Sequence, residues 1–198
     1  METLKVKLTF TESILGTLPG NKELYTEFIA SNAASPEVEA EEIEAMELNE
    51  EIERSMTGFP RTKDGKPFLY DYQIKGFFKD ACSMLARLKN GNESSKLKAY
   101  KKIIDGLIFP MPRQIPISFD GEIGILQRPL RAQTAQGERI ALAMSEEIPA
   151  GATIEFSVKC LNPDHVPAVK EWLDYGELRG IGQWRNASHG RFTWEELK

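Results

Sequence analysis

Residues 180–192 read GIGQWRNASHGRF, and how they are read decides the fold. Three glycines, two arginines, a tryptophan and a histidine fall within thirteen positions, after a helical pattern and before a short alternating run. A segment that closes a core would be apolar. Glycines instead let backbone N–H groups converge without Cβ obstruction, making a concavity suited to phosphate oxygens at Gly180, Gly182 and Gly190. Arg179, Arg185 and Arg191 can add charge-assisted hydrogen bonds. Trp184 and His189 offer rings to unpaired bases, a contact worth about 1–3 kcal/mol per base. The competing reading is a glycine hairpin with Trp184 in the core. The stretch lacks the G-x-x-x-x-G-K-[ST] frame of a Walker loop. Its G-x-G follows a helix rather than a strand, so it is no dinucleotide fingerprint either.

Working back from this loop, Asn162-Pro163-Asp164 opens a helix to about Tyr175, with Val166, Val169, Trp172 and Leu173 inward. ATIEFSVKCL (152–161) alternates at period two, with Ile154, Phe156, Val158 and Cys160 on one face. ERIALAMSEEI (138–148) and EIGILQRPLRAQ (122–133) read as two further strands. LIFPMPRQIPISF (107–119) carries three prolines and is expected to be an edge strand or an irregular extended segment. Ser94 to Asp105 is expected to be helical, with four lysines outward. YDYQIKGFFKDACSMLARL (70–88) places Ile74, Phe77, Phe78, Ala81, Leu85 and Leu88 at helical spacing behind Asp71 as a cap. Gly76 inside it costs about 1 kcal/mol relative to alanine, which points to close packing or to close approach of a ligand. LKVKLTF (4–10) is a half-buried strand. The order is strand, helix, a group of strands, helix, final strand. It predicts a single α+β domain over 1–198, a ferredoxin-like (RRM-like) antiparallel sheet with helices on one face.

Charge is distributed unevenly. Nine glutamates and one arginine between Glu37 and Arg54 give that stretch −8, so the rest of the chain sums to +3 although the whole carries −5. The stretch predicts an amphipathic acidic helix inserted at about 36–57, with Val38, Ala45, Leu48, Ile52 and Met56 along one side. From Lys75 to Lys102, eight Lys or Arg face Asp80 and Glu93, a net +6 able to meet phosphates or simply to solvate a helix face. Apolar runs are far too short to cross a bilayer and METLKVKLTFTE has no signal-peptide core, so a cytoplasmic protein without a membrane partner is expected. Cys82 and Cys160 show no metal-ligand spacing; two reduced, buried thiols and no metal or cofactor are expected.

Three stretches in one order resemble the RAMP superfamily, the RNA-binding proteins of CRISPR effector and processing complexes. The first is KDGKPFLYDYQIKGFFKDA (63–81), similar to the turn that leads those proteins into a helix bearing a lysine-glycine pair and a further basic residue, here Lys75, Gly76 and Lys79. In the second, an arginine-containing stretch with Arg128 and Arg131 precedes Glu147, Pro149, Ala150, Gly151, Ile154 and Phe156. The third is the glycine loop itself. They cover about a third of the chain. The family's small Pro-Gly-Ser turn is replaced by Tyr70-Asp71-Tyr72, and the loop is poorer in glycine than usual.

The resemblance implies a non-catalytic subunit that binds single-stranded RNA and assembles with itself or with other subunits of a nucleoprotein complex. Lys75 and Lys79 would hold backbone phosphates, Arg128 and Arg131 would line a groove beside the strands, and Arg185, His189 and Arg191 would close the site. Helix and loop cations are then expected to converge on one sheet edge. Two other readings stand beside this one. On the same fold, a protein-interaction module of phage or mobile-element origin would use its acidic helix as a docking surface or nucleic-acid mimic. A metal-independent endoribonuclease would rest on His189, with Asp64 near the position where some family members carry a cleavage aspartate.

Overall fold

A computed structural model describes residues 1–19, 56–88, 90–134 and 137–198, and the side chains of all of these but 19 and 130–142. The elements run β1 (Glu2–Phe10), β2 (Ile14–Leu15), β3 (Leu18–Pro19), β4 (Met56–Gly58), β5 (Phe68–Tyr70), α1 (Asp71–Leu85) and α2 (Glu93–Lys96). They continue with α3 (Tyr100–Leu107), β6 (Ile108–Met111), β7 (Gln114–Ser118), β8 (Gly124–Thr134), β9 (Gly137–Ile148) and β10 (Thr153–Cys160). The chain closes with α4 (Val166–Asp174), α5 (Gly176–Arg179) and β11 (Phe192–Leu197). The protein is of the α+β class.

The larger sheet has the order β11-β1-β10-β7-β5, with β6 also on β10, and every pairing in it is antiparallel. Period-two alternation sets its register: Leu8 lies opposite both Ile154 and Trp194. Leu4, Val6, Leu8 and Phe10 thereby share one face with Ile154, Phe156, Val158 and Cys160, and all eight are buried. The apolar stripes of α1 and α4 cover that face in a single core. Its centre is aromatic: the Phe78 and Trp172 rings lie 5.4 Å apart, and Phe77 meets Phe192 at 5.3 Å. Trp172 is fully buried and donates its indole N–H to Ser94 Oγ at 2.9 Å. Glu171 receives that hydroxyl and the N–H groups of Glu93 and Ser94, so a carboxylate from α4 satisfies the open donors at the start of α2.

Several expectations are corrected here. The strands at 122–133 and 138–148 form, but as the long β8–β9 hairpin of a second sheet ordered β2-β9-β4-β3. Ser94–Asp105 is two helices, because Asn92 caps α2 through its Oδ1 at 3.0 Å from Ser95 N and Ala99 takes a left-handed φ of 53° before α3. The proline-rich stretch is no single edge: β6 is outermost, whereas β7 lies between β10 and β5, the break between them falling at the cis Met111–Pro112 peptide. Asp71 is the first residue of α1 rather than its cap, and Gln73 Oε1 accepts the Tyr70 N–H at 2.7 Å instead. Of the acidic helix expected at 36–57, residues 36–55 lie outside the described residues, and Met56–Thr57 belong to β4. Both cysteines are free and buried, as read from sequence; burial pushes the Cys160 thiol up to about 11 and raises Cys82. Among the described residues no helix is long and apolar enough to cross a membrane.

Candidate nucleic-acid interface

The loop after α5 is built by its glycines, and for a backbone reason. Gly180 (φ 73°) and Gly190 (φ 71°) sit where the outgoing and returning chains cross, and Ile181 N donates to Gly190 O at 2.9 Å. A Cβ on Gly180 would stand 2.6 Å from His189 O, and one on Gly190 would overlap the Ile181 carbonyl. Gly190 N donates to Ser13 O at 2.8 Å and Gly180 N to Gly176 O at 3.2 Å. These N–H groups are already used within the protein, so the expected phosphate-cradling nest does not form from them.

The loop's side chains organise instead around one carboxylate. Asp80, on the second half of α1, accepts from Arg179 Nε at 2.7 Å and from Arg185 Nη1 at 2.9 Å through the same oxygen, Oδ2. Arg179 Nη1 also donates to Asn186 Oδ1 at 2.7 Å. The hydrogen bond it donates to Asp80 holds the Arg179 guanidinium above its ordinary range. Above these groups Arg128, reaching in from β8, places its guanidinium carbon 5.6 Å from the centre of the Trp184 ring. Trp184 has a left-handed φ of 51° and is half-buried outside the main core, so the reading that put it inside is set aside. Arg128, Arg179, Trp184, Arg185 and Asn186 line an open cavity of about 420 Å³.

A smaller cavity of about 220 Å³ adjoins it, sharing Gly182 and Arg185 and lined by Thr17, Gln73, Gly76 and Phe77. A Cβ at Gly76 would meet nothing within 4 Å. Close packing does not explain that glycine, and the ligand-approach alternative keeps its ground.

Other expected residues lie elsewhere. Lys79 pairs with Asp105 at 2.6 Å, and Lys75 donates to the Asp105 carbonyl at 3.1 Å and sits 4.5 Å from the centre of the Phe109 ring. Lys75 and Lys79 are thus on the flank of α1 toward α3 and β6, while Gln73, Gly76, Phe77 and Asp80 are on the flank toward the loop. The expected convergence of helix lysines and loop arginines is not what the structure shows, because at 100° per residue neighbours such as Lys79 and Asp80 leave a helix in different directions. His189 stands behind Trp184, rings 6.2 Å apart, with Nδ1 3.0 Å from Ser13 Oγ. The Arg191 carbonyl accepts from Thr11 N at 2.9 Å, and its Nε is buried without a partner. Arg131 lies in β8 opposite Ile140, its side chain outside the described residues.

Sequence reasoning missed Asp80, Asn186 and Ser13 as members of the site. Asp80 carried a signal, since Gln73, Gly76, Phe77 and Asp80 repeat at helical spacing on one stripe. Ser13 carried none, being 176 positions from His189. Among the described residues no three His, Cys, Asp or Glu side chains gather as a metal site.

No protein-family model matches the chain, and no curated protein matches it significantly. Solved structures do resemble it. One is a chain of the type III-B Cmr-beta complex bound to cognate target RNA, determined by cryo-EM, with TM-score 0.53 and 11% identity, covering 99% of this chain and 58% of that one. Another is a chain of a type IV-B CRISPR complex, with TM-score 0.50 and 10% identity, covering 99% of this chain and 90% of that one. This chain therefore spans little more than half the length of the first. At such identities the likeness is one of fold.

Proposed function

We propose that this chain is a non-catalytic, single-stranded-RNA-binding subunit of a larger nucleoprotein assembly, with the loop cavity as its RNA contact. On this reading the main sheet is a ferredoxin-like unit, its β-α-β-β-α-β run being β1, α1, β6/β7, β10, α4 and β11, onto which the β2–β9 sheet has been added. The observation that carries the reading is the cavity itself: Arg128, Arg179 and Arg185 line it together with Trp184, whose indole lies outside the core with the Arg128 guanidinium over it. Guanidinium forks suit phosphate oxygens, and indole faces suit bases of any sequence. The resemblance in fold to chains from an RNA-bound and a CRISPR assembly supports both the RNA and the multi-subunit setting.

Filter binding of a short single-stranded RNA at about 50 and about 200 mM salt tests it. Binding at low salt that weakens at high salt is the expected result, with the RNA recovered intact. Undetectable binding at low salt, or affinity indifferent to salt, overturns the reading. Cleavage that Ala at His189 abolishes would move the protein to the endoribonuclease class.

A further inference from the structure

The cavity has a size and a charge that say more than that it accepts RNA. Among the described residues, the α1 lysines do not extend its arginines into a track, because they are engaged with Asp105 on the other flank. A strand lying across a surface needs phosphate partners at successive nucleotides. A cavity of about 420 Å³, with a smaller neighbour of about 220 Å³ that shares Gly182 and Arg185, has room for the end of a chain. Arg128, Arg179 and Arg185 line it with three positive charges, and Asp80, paired with the last two, adds one negative charge, a net of +2. An internal phosphodiester carries a single negative charge, whereas a terminal phosphomonoester near neutral pH carries about −1.5 to −2 and three acceptor oxygens.

Asp80 does more than lower the charge. One oxygen fixes two guanidiniums side by side, and Asn186 fixes a second edge of Arg179, so both forks are held before a ligand arrives. Five N–H donors per guanidinium leave most of them for the ligand. Pre-organised forks of this kind favour a compact anion with several oxygens over a spread-out chain.

We propose that the Arg128–Arg179–Arg185 cavity, ordered by Asp80, binds the phosphorylated end of a single-stranded RNA, with the terminal base against Trp184. This rests on the RNA-binding reading and narrows it from a strand to a terminus. The shared chemistry is a terminal phosphomonoester, at the 5′ or the 3′ end.

The test is fluorescence anisotropy with the full chain and one short RNA sequence carrying a 5′-phosphate, a 3′-phosphate, a 2′,3′-cyclic phosphate or hydroxyls at both ends. One of the two monoester RNAs is expected to bind about tenfold more tightly than the hydroxyl form. The cyclic form, a monoanion, is expected to gain less. Arg179→Lys keeps the charge but loses the fork, and should bring the ratio of monoester to hydroxyl affinity from about tenfold to near one, whatever it does to the hydroxyl RNA; a ratio that stays near tenfold overturns the terminal assignment. Since Arg179 also ties the loop to α1, Arg128→Ala, which acts through Trp184 from β8, is the second variant, with the same expected loss. Equal affinity for all four RNAs overturns the terminal assignment and leaves the RNA-binding reading standing. Failure of every RNA to bind overturns both.

Discussion

At Gly76 and Gly190 the same residue type does opposite things. Gly190 has no room for a Cβ and a positive φ, so Gly190→Ala is expected to destabilise the fold by more than 2 kcal/mol, roughly, read as a lowered urea midpoint. Gly76 has open space beside it in mid-helix, so Gly76→Ala should stabilise by about 1 kcal/mol and raise Tm. If a ligand passes over Gly76, the same variant binds RNA more weakly while being more stable; unchanged affinity would remove Gly76 from the site. Cys160 gives a pH signature. Its thiol, held protonated by burial, contributes stability fully present below the ordinary value of 9.0 and lost as pH rises toward about 11. Unfolding free energy should fall over that interval, and Cys160→Ala should flatten the fall.

At the scale of elements, α1 is the organising piece, and it has two working flanks. One carries Asp80 and holds the loop arginines; the other carries Lys75 and Lys79 and is held by α3. Arg185→Ala is therefore expected to weaken RNA binding by about tenfold, and the double change Lys75→Gln, Lys79→Gln by far less, both measured at low salt. Equal losses would mean that RNA spans both flanks. The sequence made α1 legible because its apolar stripe repeats at 3.6, and it made β1 and β10 legible because theirs repeats at 2. It did not show which flank each cation would leave from, since that depends on where the stripe faces, a property of tertiary packing. The β8–β9 hairpin was legible as two strands, but nothing in their alternation says that β9 pairs with β2 and β4 rather than with β10. Likewise, the motif glycines were visible in sequence, while their use in a backbone crossing was not.

For the molecule as a whole, a net charge of −5 conceals +3 outside residues 37–54. With −8 confined to 37–54, deletion of those residues leaves a chain of +3 and should strengthen RNA binding by removing repulsion. If the acidic stretch serves a protein partner, the deletion abolishes partner capture and leaves RNA affinity where it was. If one small cavity with three guanidiniums carries the contact, the dependence of RNA affinity on salt reports it. Log K against log salt for a short single-stranded RNA carrying the preferred terminal phosphate should be linear with a slope of about −1.4, two phosphate charges at about −0.7 each, and Arg185→Ala should make it shallower by about 0.7. A flat line, or a slope that Arg185→Ala leaves unchanged, would contradict the account.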